Sequence, residues 1–191
     1  MTNRTNEISD QLARNNYHVV CVDCFRGETK ATNPQIVPWL KKYPFFPVVR
    51  DDVTACFEYL KLKGVVDIGG MGFCWGAWAV AKASSKCMEF KCGVAPHPSM
   101  KLEEMVFEED VEAMLDKVSM PLLLLPAGND AENLKPGSKT VQNLEAKGGK
   151  SILFENMVHG WVTRSEKDDL VAQENAQKAL DYALDFFQAN L

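Results

Sequence analysis

Residues 65–86 read VVDIGGMGFCWGAWAVAKASSK. The first part, 65–72, opens with a β-branched apolar run and predicts a strand. The last part, 75–86, is rich in small residues and predicts a helix. Gly72-Phe73-Cys74-Trp75-Gly76 joins them, so the chain turns sharply from strand into helix. A strand feeding a helix is half of a βαβ unit, and such units build parallel sheets. The same rhythm runs outward on both sides. Upstream lie a helix over 6–15, with Ile8, Leu12 and Ala13 on one side, and a strand over 17–24. A helix over 50–63 follows, where Val53, Cys56, Phe57 and Leu60 recur at helical spacing. Downstream come a strand over 92–96, a charged amphipathic helix over 102–118, and a strand over 121–127. A helix over 138–146 is ended by Gly148 and Gly149, and a strand covers 151–155. The last helix covers 169–188, with Ala172, Ala176, Ala179, Ala183 and Phe187 on one stripe. The expectation is one α/β domain over 1–191, a mostly parallel sheet of about five strands with helices on both faces.

The composition agrees with that class. The chain has 191 residues, of which 46% are hydrophobic and 25% charged, so bulk disorder is excluded. The net charge of −5 gives no general attraction for a phosphate backbone, and nucleic acid is not expected as a partner. The longest apolar run, PLLLLPA at 121–127, is far short of the ~20 residues that cross a membrane. The N-terminal stretch is polar and lacks a signal-peptide core, so a cytoplasmic, membrane-free protein is expected.

Six cysteines stand at 21, 24, 56, 74, 87 and 92. In a chain of this size they read as free thiols rather than a disulfide framework. Cys21 and Cys24 form a CxxC pair, which invites a redox or zinc reading. Inside the predicted strand, positions i and i+3 face opposite ways, so buried packing is the expectation. Residues 27–47 hold four prolines and the aromatics Trp39, Tyr43, Phe45 and Phe46. They form either a hydrophobic pocket wall or a packed surface loop.

The chemistry starts at Cys74. Gly72-Phe73-Cys74-Trp75-Gly76 has the G-x-C-x-G spacing of a nucleophile elbow, in the required context of strand, turn and helix. Glycine at 72 and 76 is expected to relieve clashes with the neighbouring strand and helix. The helix N-terminus favours the thiolate and offers N–H groups, of which the Trp75 N–H is the expected oxyanion donor. The chain has three histidines. His18 begins a strand, at the wrong edge of the sheet. His97 follows the strand over 92–96 and is a candidate for a pocket role or a turn. His159 follows the last strand and fits the order nucleophile, acid, base that such elbows have. Asp130, after the strand over 121–127, is the expected acid, orienting His159; the alternative is a turn former beside Asn129.

Cys74, Asp130 and His159 in that order, the GFCWG elbow, the PLLLLPAGND strand and the closing HGW together resemble the dienelactone hydrolase family. This is the cysteine-nucleophile branch of the α/β-hydrolases, also called carboxymethylenebutenolidases. The resemblance implies an α/β-hydrolase-like fold and an esterase or lactonase acting on a small-molecule ester or lactone. It implies no metal and no organic cofactor, and it leaves homo-oligomerisation open. Bacterial members hold a substrate carboxylate with arginines. Arg26 and Arg164 stand in loosely comparable places, with solvated surface charge as the alternative.

The resemblance is incomplete at one end. Family members begin with further strands and an H-E-x-F-G loop that carries a second oxyanion donor and a glutamate. This sequence opens at the following helix, and Glu28, after a different strand, is no substitute. The expected consequences are an empty place between the strands over 17–24 and 65–71, low stability of the chain alone, and weak turnover. One oxyanion donor is worth about 10²–10³ in rate. The alternative to a hydrolase is therefore a weak or inactive relative that serves as a binding or structural protein.

Overall fold

A computed structural model describes residues 3–86 and 89–191; Cys87 lies outside them. The residues fall into two compact units, one of 1–66 with 102–109, the other of 67–101 with 110–191.

The first unit is helical. It contains α1 (Asn3–Arg14), α2 (Ile36–Leu40), a π-helical turn (Phe45–Val49) running into α3 (Arg50–Leu62), and α5 (Leu102–Phe107). Ile8 and Leu12 of α1 and Phe57 and Leu60 of α3 are buried, whereas Ala13 is exposed. The aromatic loop over 27–47 contains α2 and buries Trp39, Tyr43 and Phe45, whereas Phe46 is exposed. Phe25 stacks on Trp39 at 4.6 Å and meets Tyr43 edge-on at 5.1 Å. Residues 17–24 are not a strand, which corrects the expectation of about five. An extended segment becomes a strand only with a ladder partner, and every regular element of this unit is helical. The expectation of buried packing holds for Cys24 and fails for Cys21, which is exposed, its sulfur 3.9 Å from the Ser9 hydroxyl.

The second unit holds a four-stranded parallel sheet in the order β1 (Gly69–Met71), β2 (Cys92–Pro96), β3 (Leu122–Leu125), β4 (Lys150–Ser151). Between the strands run α4 (Trp75–Ser85), α6 (Val111–Asp116) and α7 (Lys139–Glu145); α8 (Trp161–Arg164) and α9 (Leu170–Asn190) close the chain. Every residue of β2 and β3 is buried. That is the signature of a sheet covered on both faces. Gly69 and Gly70 show the two covers: a Cβ at Gly69 would press on Phe187 of α9, and one at Gly70 on Val80 of α4. The alanine stripe of α9, from Ala172 to Ala183, is buried as its spacing predicted.

The helix predicted over 102–118 is two helices. Glu108 has φ +59°, and Asp110 caps α6 by accepting from the Ala113 N–H at 3.0 Å. The acidic run Glu108-Glu109-Asp110 thus ends one helix and starts another. The strands over 65–72 and 151–155 are shorter than predicted, although Ala127 and Phe154 still pair beyond the ends of β3 and β4.

Candidate active site

Each successive strand delivers one part of the site just past its carboxyl end. After β1 comes Cys74, with φ +54° and ψ −113°, a strained conformation for a residue with a side chain. The turn is held by the Gly72 N–H donating to the Val94 carbonyl at 3.0 Å and the Gly76 N–H donating to the Phe73 carbonyl at 2.8 Å. Of the two flanking glycines only Gly72 is sterically required. A Cβ there would collide with the Gly76 carbonyl, whereas a Cβ at Gly76 meets nothing within 4 Å. The elbow is tight on one side only.

After β2 the chain runs on beside the elbow. Cys74 and Pro98 form a parallel bridge, and the Ser99 N–H donates to the Cys74 carbonyl at 3.2 Å. That register places the Ser99 hydroxyl 3.3 Å from the Cys74 sulfur and 3.3 Å from His159 Nε2. Sequence reasoning missed Ser99. The available signal was a hydroxyl two residues past His97, at the same sheet edge.

After β3, Asp130 is held by the Ala127 N–H, which donates to Oδ2 at 2.8 Å. Its Oδ1 lies 2.6 Å from His159 Nδ1. A carboxylate only accepts, so Nδ1 carries the proton and Nε2 faces Ser99 and Cys74. Asn129 is a second part missed in the sequence: its Oδ1 accepts from the His159 backbone N–H at 2.7 Å. Asp130 is 6% exposed and His159 24%, so this ion pair is largely screened from water.

The proton affinities follow from those contacts. Burial pushes the Cys74 thiol up, but hydrogen bonds to His159 and Ser99, and the charges of His159 and Arg164, outweigh it and bring it to about 7. Cys92, with burial alone, is pushed up to about 12. His159 is raised to about 9, first by its hydrogen bond to Asp130 and then by that to Cys74, against the effect of burial. A thiol that holds its proton less tightly than the neighbouring imidazole is the ingredient of a thiolate–imidazolium pair.

His97 is fully buried, with φ +37°, and neither ring nitrogen has a hydrogen-bond partner among the described residues. Its ring lies 5.1 Å from that of His159 and 5.4 Å from that of Trp161. Burial first, then the charges of His159 and Arg164, push it down to about 3, so it stays neutral. His18 is exposed in the first unit, 6.1 Å from Tyr59. Of the two candidate arginines, Arg164 reaches the His159 carbonyl with Nη2 at 3.4 Å. Arg26 belongs to the first unit, where it grips Asp52 through two hydrogen bonds of 3.1 and 3.0 Å. Trp75 begins α4, so its N–H is among the helix's first.

A model of the dienelactone hydrolase family matches residues 1–191. The chain belongs to the dienelactone hydrolase family. Among curated relatives it is similar to the carboxymethylenebutenolidase homolog of Homo sapiens, 30% identical over 173 residues, which cover 86% of this chain and 66% of the relative. The homolog of Rattus norvegicus is 27% identical over 176 residues, with the same coverage. The chain thus spans 66% of the length of these relatives. Among solved structures it resembles the uncomplexed acylaminoacyl peptidase of Pyrococcus horikoshii, with a TM-score of 0.58 at 16% identity over 86% of this chain and 30% of that one. An acylaminoacyl peptidase in complex with Z-Gly-Gly-Phe-chloromethyl ketone gives 0.57 at 14% identity, over 85% of this chain and 30% of that one. At such identities the likeness is one of fold, and the fold of this dienelactone hydrolase family member is α/β-hydrolase-like.

Proposed function

We propose that the chain is a hydrolase that opens small esters or lactones by acyl transfer through Cys74. The observation that carries the reading is the unbroken run of contacts from Asp130 through His159 and Ser99 to Cys74, at the carboxyl edge of a parallel sheet. Membership of the dienelactone hydrolase family supports the same class of substrate. In this reading the Cys74 thiolate attacks the carbonyl carbon, and the electron pair of the C=O bond moves to oxygen. The Trp75 N–H, at the start of α4, donates to that oxyanion. His159, protonated at Nε2, gives its proton to the departing alcohol. It then takes one from water, which hydrolyses the thioester and restores the thiolate. Asp130 fixes the tautomer throughout. A thiolate leaves more readily than an alkoxide, so activated esters and enol lactones suit this centre better than amides. Arg164, whose charge is already felt by Cys74, is the arginine better placed to hold an anionic substrate.

The test is turnover of an activated ester by the full chain. Cys74→Ala should abolish hydrolysis, while Cys21→Ser and Cys24→Ser should leave it intact. Full hydrolysis by Cys74→Ala would refute the reading.

A further inference from the structure

Ser99 is in contact with both reacting side chains, and the acyl-transfer scheme gives it no chemical step of its own. Its backbone is fixed to the elbow by the N–H to Cys74 carbonyl bond and by the Pro98–Cys74 bridge. Its hydroxyl is equidistant, at 3.3 Å, from the sulfur and from Nε2. A hydroxyl has one proton to donate and lone pairs to accept with, so it can serve both neighbours at once. We propose that Ser99 is a positioning residue whose hydroxyl bridges Cys74 and His159 in both protonation states, reversing its direction when the proton moves. With a neutral pair, the thiol donates to the Ser99 oxygen and the Ser99 O–H donates to Nε2. With an ion pair, the Nε2–H donates to the Ser99 oxygen and the O–H donates to the thiolate. The proton lost by sulfur is gained by nitrogen, and Ser99 keeps one proton throughout. Charge-assisted hydrogen bonds are stronger than neutral ones, so the bridge favours the ion pair. The lowering of the Cys74 thiol by Ser99 runs in that direction. Once sulfur is acylated it is a poor acceptor, so the bridge opens and the Nε2 lone pair is free to take the proton of the incoming water.

The inference rests on Cys74 and His159 forming the reactive pair, and the test separates the two. Alkylation of Cys74 by iodoacetamide is measured by peptide mass from pH 5 to 10 on the full chain. The proteins compared are wild type, Ser99→Ala, Ser99→Thr and His159→Ala, with thermal unfolding followed alongside. Ser99→Gly is a second hydroxyl-free variant should Ser99→Ala fold poorly. Wild type should show a midpoint near 7. Ser99→Ala should move it up by about one unit, alkylating about fivefold more slowly at pH 7 yet matching wild type at pH 10. Ser99→Thr, which keeps the hydroxyl, should stay with wild type. If Ser99→Ala superimposes on wild type while His159→Ala shifts, the Ser99 bridge is wrong and the reactive pair stands. If Ser99→Ala is slower at every pH, its role is merely structural and the bridge is again wrong. If wild type titrates as an ordinary thiol and His159→Ala changes nothing, the pair fails and the bridge falls with it.

Discussion

At the scale of residues, Cys74 and His159 exchange their usual order of proton affinity, the thiol falling to about 7 and the imidazole rising to about 9. The sign of the pH dependence follows. Above about 7 the thiol has lost its proton, and below about 9 the imidazole keeps one, so the ion pair is populated between those values. Thioester formation should therefore rise as pH increases through about 7, which a stopped-flow pH profile of acylation reads directly. His159→Ala removes both the hydrogen bond and the charge that lower the thiol. Burial, the largest effect on the thiol, then acts upward against the Ser99 hydrogen bond and the Arg164 charge alone, so the profile should shift to higher pH. Asp130→Asn should damage hydrolysis less than Cys74→Ala or His159→Ala, by roughly 10- to 100-fold, because Asp130 orients and does not react. Steady-state turnover of the three variants checks that ranking. The convergence of Cys74, Asp130 and His159 on one sheet edge was legible because each follows an apolar strand. Ser99 stands equally near a strand end, but its contact with Cys74 depends on the register of the chain beyond β2 against the elbow, which its spacing alone does not display.

At the scale of elements, the elbow makes a sharp contrast between two glycines of one motif. Gly72→Ala forces a Cβ into the Gly76 carbonyl, which is backbone and cannot swing aside. It should cost about 1–3 kcal/mol or more. Gly76→Ala enters open space in the first turn of α4 and should stabilise by up to about 1 kcal/mol through helix propensity. Chemical denaturation of the two variants reads both effects, and equal losses would contradict the one-sided elbow. Asp110→Ala removes the cap of α6 and should cost about 1 kcal/mol by the same measurement. The alanine stripe of α9, the small residues of α4 and the short apolar run of β2 made these elements legible almost to the residue. Residues 17–24 were not, because an apolar β-branched run says that a segment can be extended and not whether a neighbour is there to pair with it. The break between α5 and α6 was hidden for a related reason. The acidic run at 108–110 suits a solvated helix face as well as it suits a cap.

At the scale of the whole molecule, burial is concentrated in the second unit. β2 and β3 are sealed on both faces, and fully buried Trp78 of α4 lies in the same unit. Their amides should open only with the largest free energies in the chain, while residues 17–24, with no ladder, should exchange early. Native-state hydrogen exchange checks this, and slow exchange over 17–24 would mean that the segment is paired after all. Among the described residues no helix is long and apolar enough to cross a membrane, in line with the composition. The central claim, that this dienelactone hydrolase family member works by acyl transfer through Cys74, is tested most directly by trapping the intermediate. The full chain is mixed with an activated ester, quenched in acid within the first turnover, and mapped by peptide mass. The account predicts one acyl group on the peptide containing Cys74, absent in Cys74→Ala and gone from wild type once the ester is exhausted. Hydrolysis of the ester with no acyl group on that peptide at any time would contradict it.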